Sequence, residues 1–403
     1  MHTLPASTVT KYPVFPRARD VQPVREARRA PAVSEADVPN DLRSVPGAPK
    51  DRAQEAFFAR HYREPNFKTS PINQTYHKVV TAAPGYVGET YRRLGEKYGD
   101  LIARVNESAQ TFHLRAPAEP RDPSSDLTDA IRAAALDAGA DVVGFADFDR
   151  TYVTADTLDD ALFQNVIVLG RAFDWETTDK APSVEWDVHS YDTSLALALA
   201  AHEVAAFILA KGYRVQFIAG TGLPGEKMVA PILPYAIESG LGQMGANGTM
   251  LTPEFGSRLR LMGLSTDAPV THGKPRDIGV NVLCDKCQVC VARCPGRALS
   301  RVKVQWHGVT KYKVVADRCL PILRFAECNV CTKVCPVQHF GLKAVLDHWR
   351  ETGAVLGKGT AALESYEMFE KGRFGPGELP RFDVKEGGKG LKRMAREIGV
   401  TPV

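Results

Sequence analysis

The chain has 403 residues, of which 44% are apolar and 24% are charged, so it can bury a large core and does not have the composition of a disordered protein. Its 51 Lys and Arg residues nearly balance 47 Asp and Glu residues, and the net charge of +4 does not indicate nucleic-acid binding. No apolar run approaches the ~18 residues of a membrane helix. The N-terminus has no apolar leader, so we expect a cytoplasmic protein without a transmembrane segment.

The first 120 residues predict an extended N-terminal region that wraps the core, because proline recurs near its start, with one helix over 87–108. A compact α/β domain is expected over 121–275. Its predicted elements are a helix over 127–138 that Gly139 ends, strands over 140–148, 165–173 and 214–220, and a long helix over 191–211. The second strand is continuously apolar and is expected to be buried on both faces. The alternation of Leu and Ala at 195–200 also fits a strand, but length and alanine content favour a helix.

All eight cysteines lie in a module over 276–345, and a C-terminal helix and tail are expected over 346–403. Clustered cysteines in a reduced compartment indicate metal ligation rather than disulfides. The first run is Cys284, Cys287, Cys290 and Cys294 followed by Pro295, and the second is Cys319, Cys328, Cys331 and Cys335 followed by Pro336. The first run has the spacing of bacterial ferredoxins, in which the fourth cysteine ligates the neighbouring cluster.

The ferredoxin spacing predicts crossed ligation of two [4Fe-4S] clusters. Cys284, Cys287, Cys290 and Cys335 would hold one cluster, and Cys294, Cys319, Cys328 and Cys331 would hold the other. Zinc, which also takes four thiolates, is the alternative ligand for each set.

A glycine-rich segment, GLGQMGANG over 240–248, precedes the block LTPEFGSRLRL over 251–261 and TDAP over 266–269. Glycine at this density allows a backbone to approach a flat ligand closely. The segment is neither a P-loop nor a dinucleotide-binding turn, because it lacks their Lys-Ser/Thr and strand–helix contexts. A packed, turn-rich core explains the glycines equally well.

In this order, the motifs resemble the cobalamin-dependent reductive dehalogenases, whose superfamily includes epoxyqueuosine reductase. The resemblance covers roughly residues 125–345. It implies an α+β fold, in which a nitroreductase-like α/β corrinoid-binding domain is followed by a bacterial two-[4Fe-4S] ferredoxin-like module. It also implies that one cobalamin is held by Gly242, Gly245, Asn247, Gly248, Thr252, Pro253, Phe255 and Gly256, with no histidine on the cobalt.

The resemblance further implies a tyrosine as proton donor, with a nearby basic residue that lowers its pKa. Tyr191 fits this role, because it lies upstream of the pair Gly212 and Tyr213 at about the spacing of the family tyrosine. Arg258 is the first choice for the basic residue and Arg260 is the reserve, since alternation along a strand is expected to separate them. Trp186 is a further candidate for lining the site.

The favoured function is corrinoid- and iron–sulfur-dependent reductive dehalogenation of a small organic halide, which we expect to be aromatic. Electrons would come from an external reduced ferredoxin or flavodoxin, docked by basic residues at 297–313. One alternative is an epoxyqueuosine-reductase-like enzyme acting on tRNA, although Met228 stands where that family carries an Asp. Another is an iron–sulfur electron-transfer protein without catalytic activity. The sequence leaves a homodimer open as an assembly state.

Overall fold

The computed structural model describes residues 86–117, 125–149, 152, 160–219, 223, 228–306, 309–314, 318–319, 322, 328–368 and 372–380. The extended region expected at the N-terminus therefore lies outside the described residues up to position 85, and so does the expected tail from position 381.

Helices and strands alternate through the first two thirds of the described chain. The helices are α1 (Tyr86–Tyr98), α2 (Leu101–Thr111), α3 (Thr128–Asp137), α4 (Trp175–Asp179), α5 (Val184–Ala210), α6 (Ile232–Glu238), α7 (Val280–Cys287), α8 (Val289–Arg293), α9 (Val330–Lys333), α10 (Pro336–Phe340), α11 (Leu342–Thr352) and α12 (Ala361–Glu364). The strands are β1 (Val142–Asp147), β2 (Asn165–Ala172), β3 (Val215–Ala219), β4 (Gln243–Met244), β5 (Met250–Leu251), β6 (Leu259–Thr266), β7 (Val304–Trp306), β8 (Val309–Lys311), β9 (Tyr366–Met368) and β10 (Gly372–Phe374).

Four strands form the central sheet in the order β1-β2-β6-β3, and every neighbouring pair is antiparallel. Side chains alternate between its two faces, as the period of a strand requires. Ile167 and Leu169 of β2 belong to the core that includes α5, whereas Val166 and Val168 pack with α6 on the other face. Helices therefore cover both faces, which confirms the prediction of a doubly buried strand at 165–173.

The helix α5 is the longest of the described elements and begins seven residues before the predicted position. Ser183 caps its first turn, where the hydroxyl accepts a hydrogen bond from the Trp186 N–H at 3.0 Å. The helical interpretation of the Leu-Ala stretch is confirmed, because Leu195, Leu197 and Ala198 lie buried against the sheet.

By length and composition, α5 could also cross a membrane, with a mean hydropathy of 1.7 in its most apolar window. The statement that no apolar run approaches membrane length was therefore wrong for this helix. Its apolarity has a structural reason, because 56% of that window is buried inside the protein. Among the described residues this is the one helix that passes the test.

The helix expected over 87–108 is two helices. Gly99 separates α1 from α2 and adopts a left-handed backbone with φ of +53°, a conformation that favours glycine. Lys97 then reaches across to Asp192 on α5 at 2.6 Å, so that α1 is held against the long helix.

The cysteine module packs around its own core. This core contains Val280, Leu283, Val330 and Leu346. It also includes Ala246 from the glycine-rich segment and Leu251 from the block that follows that segment. Tyr366 and Met368 of the C-terminal β9–β10 hairpin complete it. The module is thus covered on one side by the segment that precedes it and on another by the segment that follows.

Candidate functional site: two groups of thiols and a buried arginine cluster

A cavity lined by four thiols lies where the glycine-rich segment meets the cysteine module. Its empty space is about 340 Å³, part of it open to solvent. The lining residues are Cys284, Cys287, Cys290, Cys335, Ala246, Asn247, Leu251, Leu283, Gln288, Pro336 and Val337. These four cysteines are the set predicted for one cluster, and the fourth comes from the end of the second run.

The remaining four thiols form a second group. The charges of Cys294 and Cys319 contribute to raising the pKa of both Cys328 and Cys331, which requires these sulfurs to lie near one another. The pKa of Cys319 is raised to about 12, mainly by burial and then by the charge of Cys294. The first four thiols thus line one cavity, and the other four lie close enough to raise one another's pKa, while their division into two crossed sets of iron ligands stays a prediction.

Burial dominates the electrostatics of both groups. It raises the pKa of Cys287 to about 12 and that of Cys290 well above its ordinary value. Without a metal these thiols are protonated at neutral pH, so metal binding must release protons. A raised pKa is what burial in apolar surroundings produces for a thiol without a metal.

Backbone N–H groups point at several of the sulfurs and partly offset the burial. The turn after Cys294 directs N–H groups of residues 296–299 at that sulfur, with the Ala298 nitrogen at 3.2 Å. Arg297 adopts a φ of +49° to close this turn. Such a ring of donors stabilises negative charge on the sulfur, which suits an anionic thiolate ligand.

The spacing of the thiols bears on the choice between zinc and a cluster. Within the described part of the chain, no three His, Cys, Asp or Glu side chains converge where a single metal ion could bind. A zinc ion would need four sulfurs about 2.3 Å from one point. The thiols of the first group line a cavity, and their assignment to an iron–sulfur cluster rather than to zinc stays a prediction.

Two segments upstream of the module contact the first thiol group directly. The Ala246 N–H donates to the Cys284 sulfur, and the Ser257 hydroxyl lies close enough to Cys335 to lower the pKa of that thiol. Gly256 permits the second contact, because its backbone, with φ of +56°, lies against the backbone of Gln338. A Cβ at position 256 would come within 2.7 Å of the Gln338 nitrogen.

The residues proposed to hold cobalamin lie in the β4–β5 hairpin and the turn after it. Gly242 packs against the Leu251 carbonyl and Gly245 against the Leu251 side chain, so that a Cβ at either position would collide with the protein itself. Gly248 has φ of +80°, and the Thr252 hydroxyl accepts the Phe255 N–H at 3.0 Å. These contacts explain the glycines by close packing within the hairpin. The assignment of Gly242, Gly245, Asn247, Gly248, Thr252, Pro253, Phe255 and Gly256 to cobalamin stays a prediction.

Arg258 and Arg260 lie on the same side of the β6 edge, beside Phe173. Arg258 donates to the Phe173 carbonyl, while the Arg260 guanidinium carbon lies 5.5 Å from the centroid of the Phe173 ring. The expectation that alternation separates them was wrong, because residues two apart on a strand face the same side. Arg260 also donates to the Ser190 hydroxyl on α5 at 2.9 Å, so its guanidinium group links β6 to the long helix.

Tyr191 is the next residue after Ser190, but its side chain takes a different direction. Successive side chains on an α-helix are rotated by about 100°. The Tyr191 ring is 8% exposed and belongs to the core between α5 and the sheet. The structure therefore places Tyr191 one residue from the arginine cluster, and its role as proton donor stays a prediction.

Trp186 joins the arginine cluster, together with two residues that the sequence did not point to. Its ring meets Phe173 edge-on at 4.9 Å, and His189 accepts the Asp174 N–H at 2.9 Å. Burial lowers the pKa of Arg258, and the Asp174 carboxylate opposes that shift. The sequence offered only weak signals for these two residues. Asp174 could be recognised as a helix cap and His189 as a histidine near the start of a helix, and both features are too common to indicate a site.

Buried donors without partners test whether these surroundings fit a bound group. Within the described residues, the unpartnered donor atoms are Trp186 Nε1, Gln243 Nε2, Asn247 Nδ2, Ser257 Oγ, Arg258 Nε and Arg260 Nε. Buried polar atoms in folded proteins nearly always have partners. The orphaned donors around the first thiols and the arginine cluster fit acceptor-rich groups, such as cluster sulfides and the amide oxygens of a corrin. Two unpartnered acceptors, Gln288 Oε1 and Gln338 Oε1, lie beside the same thiols.

Comparisons with known proteins agree with this fold and these motifs. No protein-family model matches the chain. Two solved structures share the fold: a catabolic reductive dehalogenase in complex with 3-bromo-4-hydroxybenzoic acid has a TM-score of 0.55 at 19% identity and covers 70% of this chain and 43% of its own. A reductive dehalogenase described in terms of B12-dependent dehalogenation has a TM-score of 0.52 at 22% identity, covering 62% and 38%. The mixed helix and sheet architecture is thus that of reductive dehalogenases.

Sequence relatives point the same way. The chain is 27% identical over 291 residues to the tetrachloroethene reductive dehalogenase of Sulfurospirillum multivorans, covering 59% of this chain and 56% of the relative. It is 32% identical over 141 residues to that of Dehalobacter restrictus, covering 35% and 24%. It is 34% identical over 117 residues to an epoxyqueuosine reductase of Synechococcus sp., covering 27% and 35%. The chain is a homologue of the reductive dehalogenases, with epoxyqueuosine reductase as a second neighbour, and it spans about half or less of these relatives' length.

Proposed function

We propose that the chain is a cobalamin-dependent reductive dehalogenase that receives electrons through two [4Fe-4S] clusters. One observation carries this proposal: the cavity of the first four thiols is lined by Ala246 and Asn247, within the segment whose resemblance implies corrinoid binding. A cluster there would lie in contact with the corrinoid-binding segment. Such closeness suits electron transfer between two redox centres.

The net reaction replaces halogen by hydrogen and consumes two electrons and one proton for each halide released. Bound cobalamin would supply the reduced cobalt that removes the halogen from carbon. The substrate class, a small and in our proposal aromatic organohalide, is supported by the family resemblance and by the halogenated compounds that the similar proteins bind or reduce.

The protein's own residues would bind, orient and deliver the proton. Arg258 and Arg260 carry two positive charges beside Phe173 and Ser190, where they would stabilise a phenolate or a departing halide. In the proposal Tyr191 gives up the proton, and Trp186 and Phe173 provide an apolar wall that limits water. The buried surroundings strengthen each of these interactions relative to water.

Epoxyqueuosine reduction is the weaker proposal. A sequence match of 34% identity favours it, but that match covers 27% of this chain. The Asp that the resemblance requires is replaced by Met228, whose side chain cannot donate a proton. The nearly balanced charge also gives little attraction for tRNA.

The decisive experiment reconstitutes the full chain with iron, sulfide and cobalamin under anaerobic conditions. One cobalamin per chain in the visible spectrum, together with halide release from a brominated or chlorinated phenol and reduced ferredoxin as donor, supports the proposal. Clusters without cobalamin binding would instead assign the chain to electron transfer. Reduction of epoxyqueuosine in a tRNA stem loop, without halide release, would establish the second candidate. Fractionation of cells that express the chain is a separate experiment, and recovery of the chain in the soluble fraction would support the proposed cytoplasmic location.

A further inference from the structure

Ser257 is a buried hydroxyl that the catalytic proposal does not use. The residue is 4% exposed, and its Oγ has no hydrogen-bond partner of ordinary geometry among the described residues. Serine hydroxyls inside proteins are nearly always paired. An orphaned hydroxyl of this kind indicates that its acceptor is a bound group.

The surroundings of Ser257 identify the acceptor. Its hydroxyl lies close enough to Cys335 to lower the pKa of that thiol, and Cys335 lines the first cavity. The Ser257 backbone is fixed there, because Gly256 packs against Gln338 and the Thr252 hydroxyl holds the Phe255 N–H at 3.0 Å. The side chain is therefore held at the cavity by two contacts that leave its hydroxyl free to rotate.

A second buried donor belongs to Asn247, which lines the cavity. The Asn247 Oδ1 accepts the Thr249 N–H at 3.2 Å and the Thr249 hydroxyl at 2.9 Å, which orients the amide. Its Nδ2 is buried and unpartnered, and the residue lines the cavity. The cavity lining thus offers an unpartnered donor, Asn247 Nδ2, as well as an unpartnered acceptor, Gln288 Oε1.

We propose that the Ser257 hydroxyl donates a hydrogen bond to the [4Fe-4S] cluster of the first cysteine set, at the Cys335 sulfur or an adjacent sulfide, and thereby raises the reduction potential of that cluster. This inference rests on the cluster assignment in the proposed function. Hydrogen bonds to cluster sulfurs are among the features that set the potential. A donor stabilises the reduced cluster more than the oxidised one, because one added electron increases the negative charge on the sulfurs.

The LTPEFGS turn then has a role besides cobalamin binding. It carries a tuning donor to the cluster that lies next to the corrinoid-binding segment, so the turn would influence how readily an electron reaches that cluster. Ser257 acts through the cluster and is a positioning residue, since nothing places it on the substrate.

The test is a redox titration of the reconstituted full chain, followed by EPR, for the wild type and Ser257→Ala. The signal of the first cluster is identified by its absence from Cys335→Ala. We expect its potential to become more negative in Ser257→Ala, with the potential of the second cluster unchanged. An exchangeable proton coupling to the reduced first cluster, measured by ENDOR in H2O and D2O, should disappear. Ser265→Ala is the matched control, since it removes a buried hydroxyl on β6 that donates to Gln216 on β3 at 3.3 Å.

An unchanged first-cluster potential in Ser257→Ala, or equal shifts in both clusters, would overturn the inference. If Ser257→Ala does not assemble clusters, Ser257→Cys replaces it. Its thiol has similar size but is a weak donor, so it must also lower the potential. These readouts need neither cobalamin nor substrate. Clusters with normal potentials but no dehalogenation would therefore count against the proposed function alone, and absent iron against the cluster assignment.

Discussion

Ser257 and Arg258 are consecutive residues that serve different groups: Ser257 faces the Cys335 thiol, and Arg258 donates to the Phe173 carbonyl. Ser257 lies in a turn that the Arg258 N–H closes by donating to the Phe255 carbonyl at 3.1 Å, directly before β6 begins. One short segment therefore contacts both the first thiol group and the arginine cluster at the start of α5. A shift of this backbone would disturb the proposed electron path and the proposed proton path together.

Replacing Tyr191 by Phe removes one hydroxyl and keeps the ring in the core. Positioned acid catalysis typically contributes ~10²–10⁴-fold in rate, so turnover should fall by about that factor while iron and cobalamin contents stay unchanged. The measurement is halide release by the reconstituted variant beside its metal analysis. Tyr235→Phe is the control, since it deletes a hydroxyl bonded to the Asp149 carbonyl at 3.0 Å and should leave turnover intact. Wild-type turnover in Tyr191→Phe would make Tyr191 a structural residue.

The crossed thiol sets predict which cluster each cysteine variant loses. Cys294→Ala should lose the cluster held mainly by the second run, and Cys335→Ala the one held mainly by the first, because each fourth cysteine serves the other set. Wild type should contain about eight irons and eight labile sulfides per chain. EPR of the reduced proteins and iron analysis give the answer. Loss of the first-run signal in Cys294→Ala would mean that ligation is not crossed.

Arg293 should be among the most sensitive positions for stability. Its side chain is 2% exposed, donates to the Glu364 and Phe374 carbonyls at 3.1 and 3.3 Å, and lies 3.9 Å from the Glu364 carboxylate. Removing one partner of a buried ion pair leaves a buried charge uncompensated, so Arg293→Leu should lower the free energy of unfolding by about 3–5 kcal/mol.

Urea denaturation of the cluster-loaded protein measures this loss. Arg92→Ala is the matched control, because Arg92 pairs with Glu89 at 2.8 Å on an exposed helix surface. An exposed pair contributes little to stability, because water screens it, so Arg92→Ala should have a much smaller effect. Equal losses in the free energy of unfolding for the two substitutions would show that the buried contacts of Arg293 do not stabilise the protein more than an exposed pair does.

The lowered pKa of His189 predicts that the protein loses stability in mild acid. Burial lowers its pKa below the ordinary value of 6.5, against the opposing charges of Asp174 and Asp192. Below that ordinary value the unfolded chain binds more protons than the native one, so the free energy of unfolding falls as pH decreases from 6.5 through the lowered pKa. His189→Gln should flatten this dependence in urea denaturation series, leaving the share due to His202 and His339, whose pKa values burial also lowers. Identical pH profiles would contradict the assignment.

Local patterns in the sequence predicted much of the fold. The strand at 165–173, the long helix and the Gly139 stop follow from periodicity and terminal residues, and the structure has them. The cysteine spacing likewise predicted the two thiol groups. Both kinds of signal lie within short stretches of chain, which is why they can be read without a structure.

The remaining features depend on contacts between distant residues. The contact of Lys97, at the end of α1, with Asp192 on α5 joins residues more than ninety positions apart. The contacts of Ser257 with Cys335 and of Arg260 with Ser190 join segments on different elements. Neither serine lies in a pattern that distinguishes it from an ordinary polar residue, so the sequence alone could not assign either one.

The hydrogen bonds of Arg293 to carbonyls far along the chain have a consequence for folding during synthesis. Arg293 lies between Cys290 and Cys294, one from each thiol set, and it is held by carbonyls at positions 364 and 374 that the ribosome adds 71 and 81 residues later. Until that late stretch emerges, the guanidinium lacks the acceptors that bury it, and the cysteines around it lack a fixed arrangement. We therefore expect stable clusters to be inserted only after residues 361–374 have been synthesised. Nascent chains that end before residue 361 should not hold stable clusters.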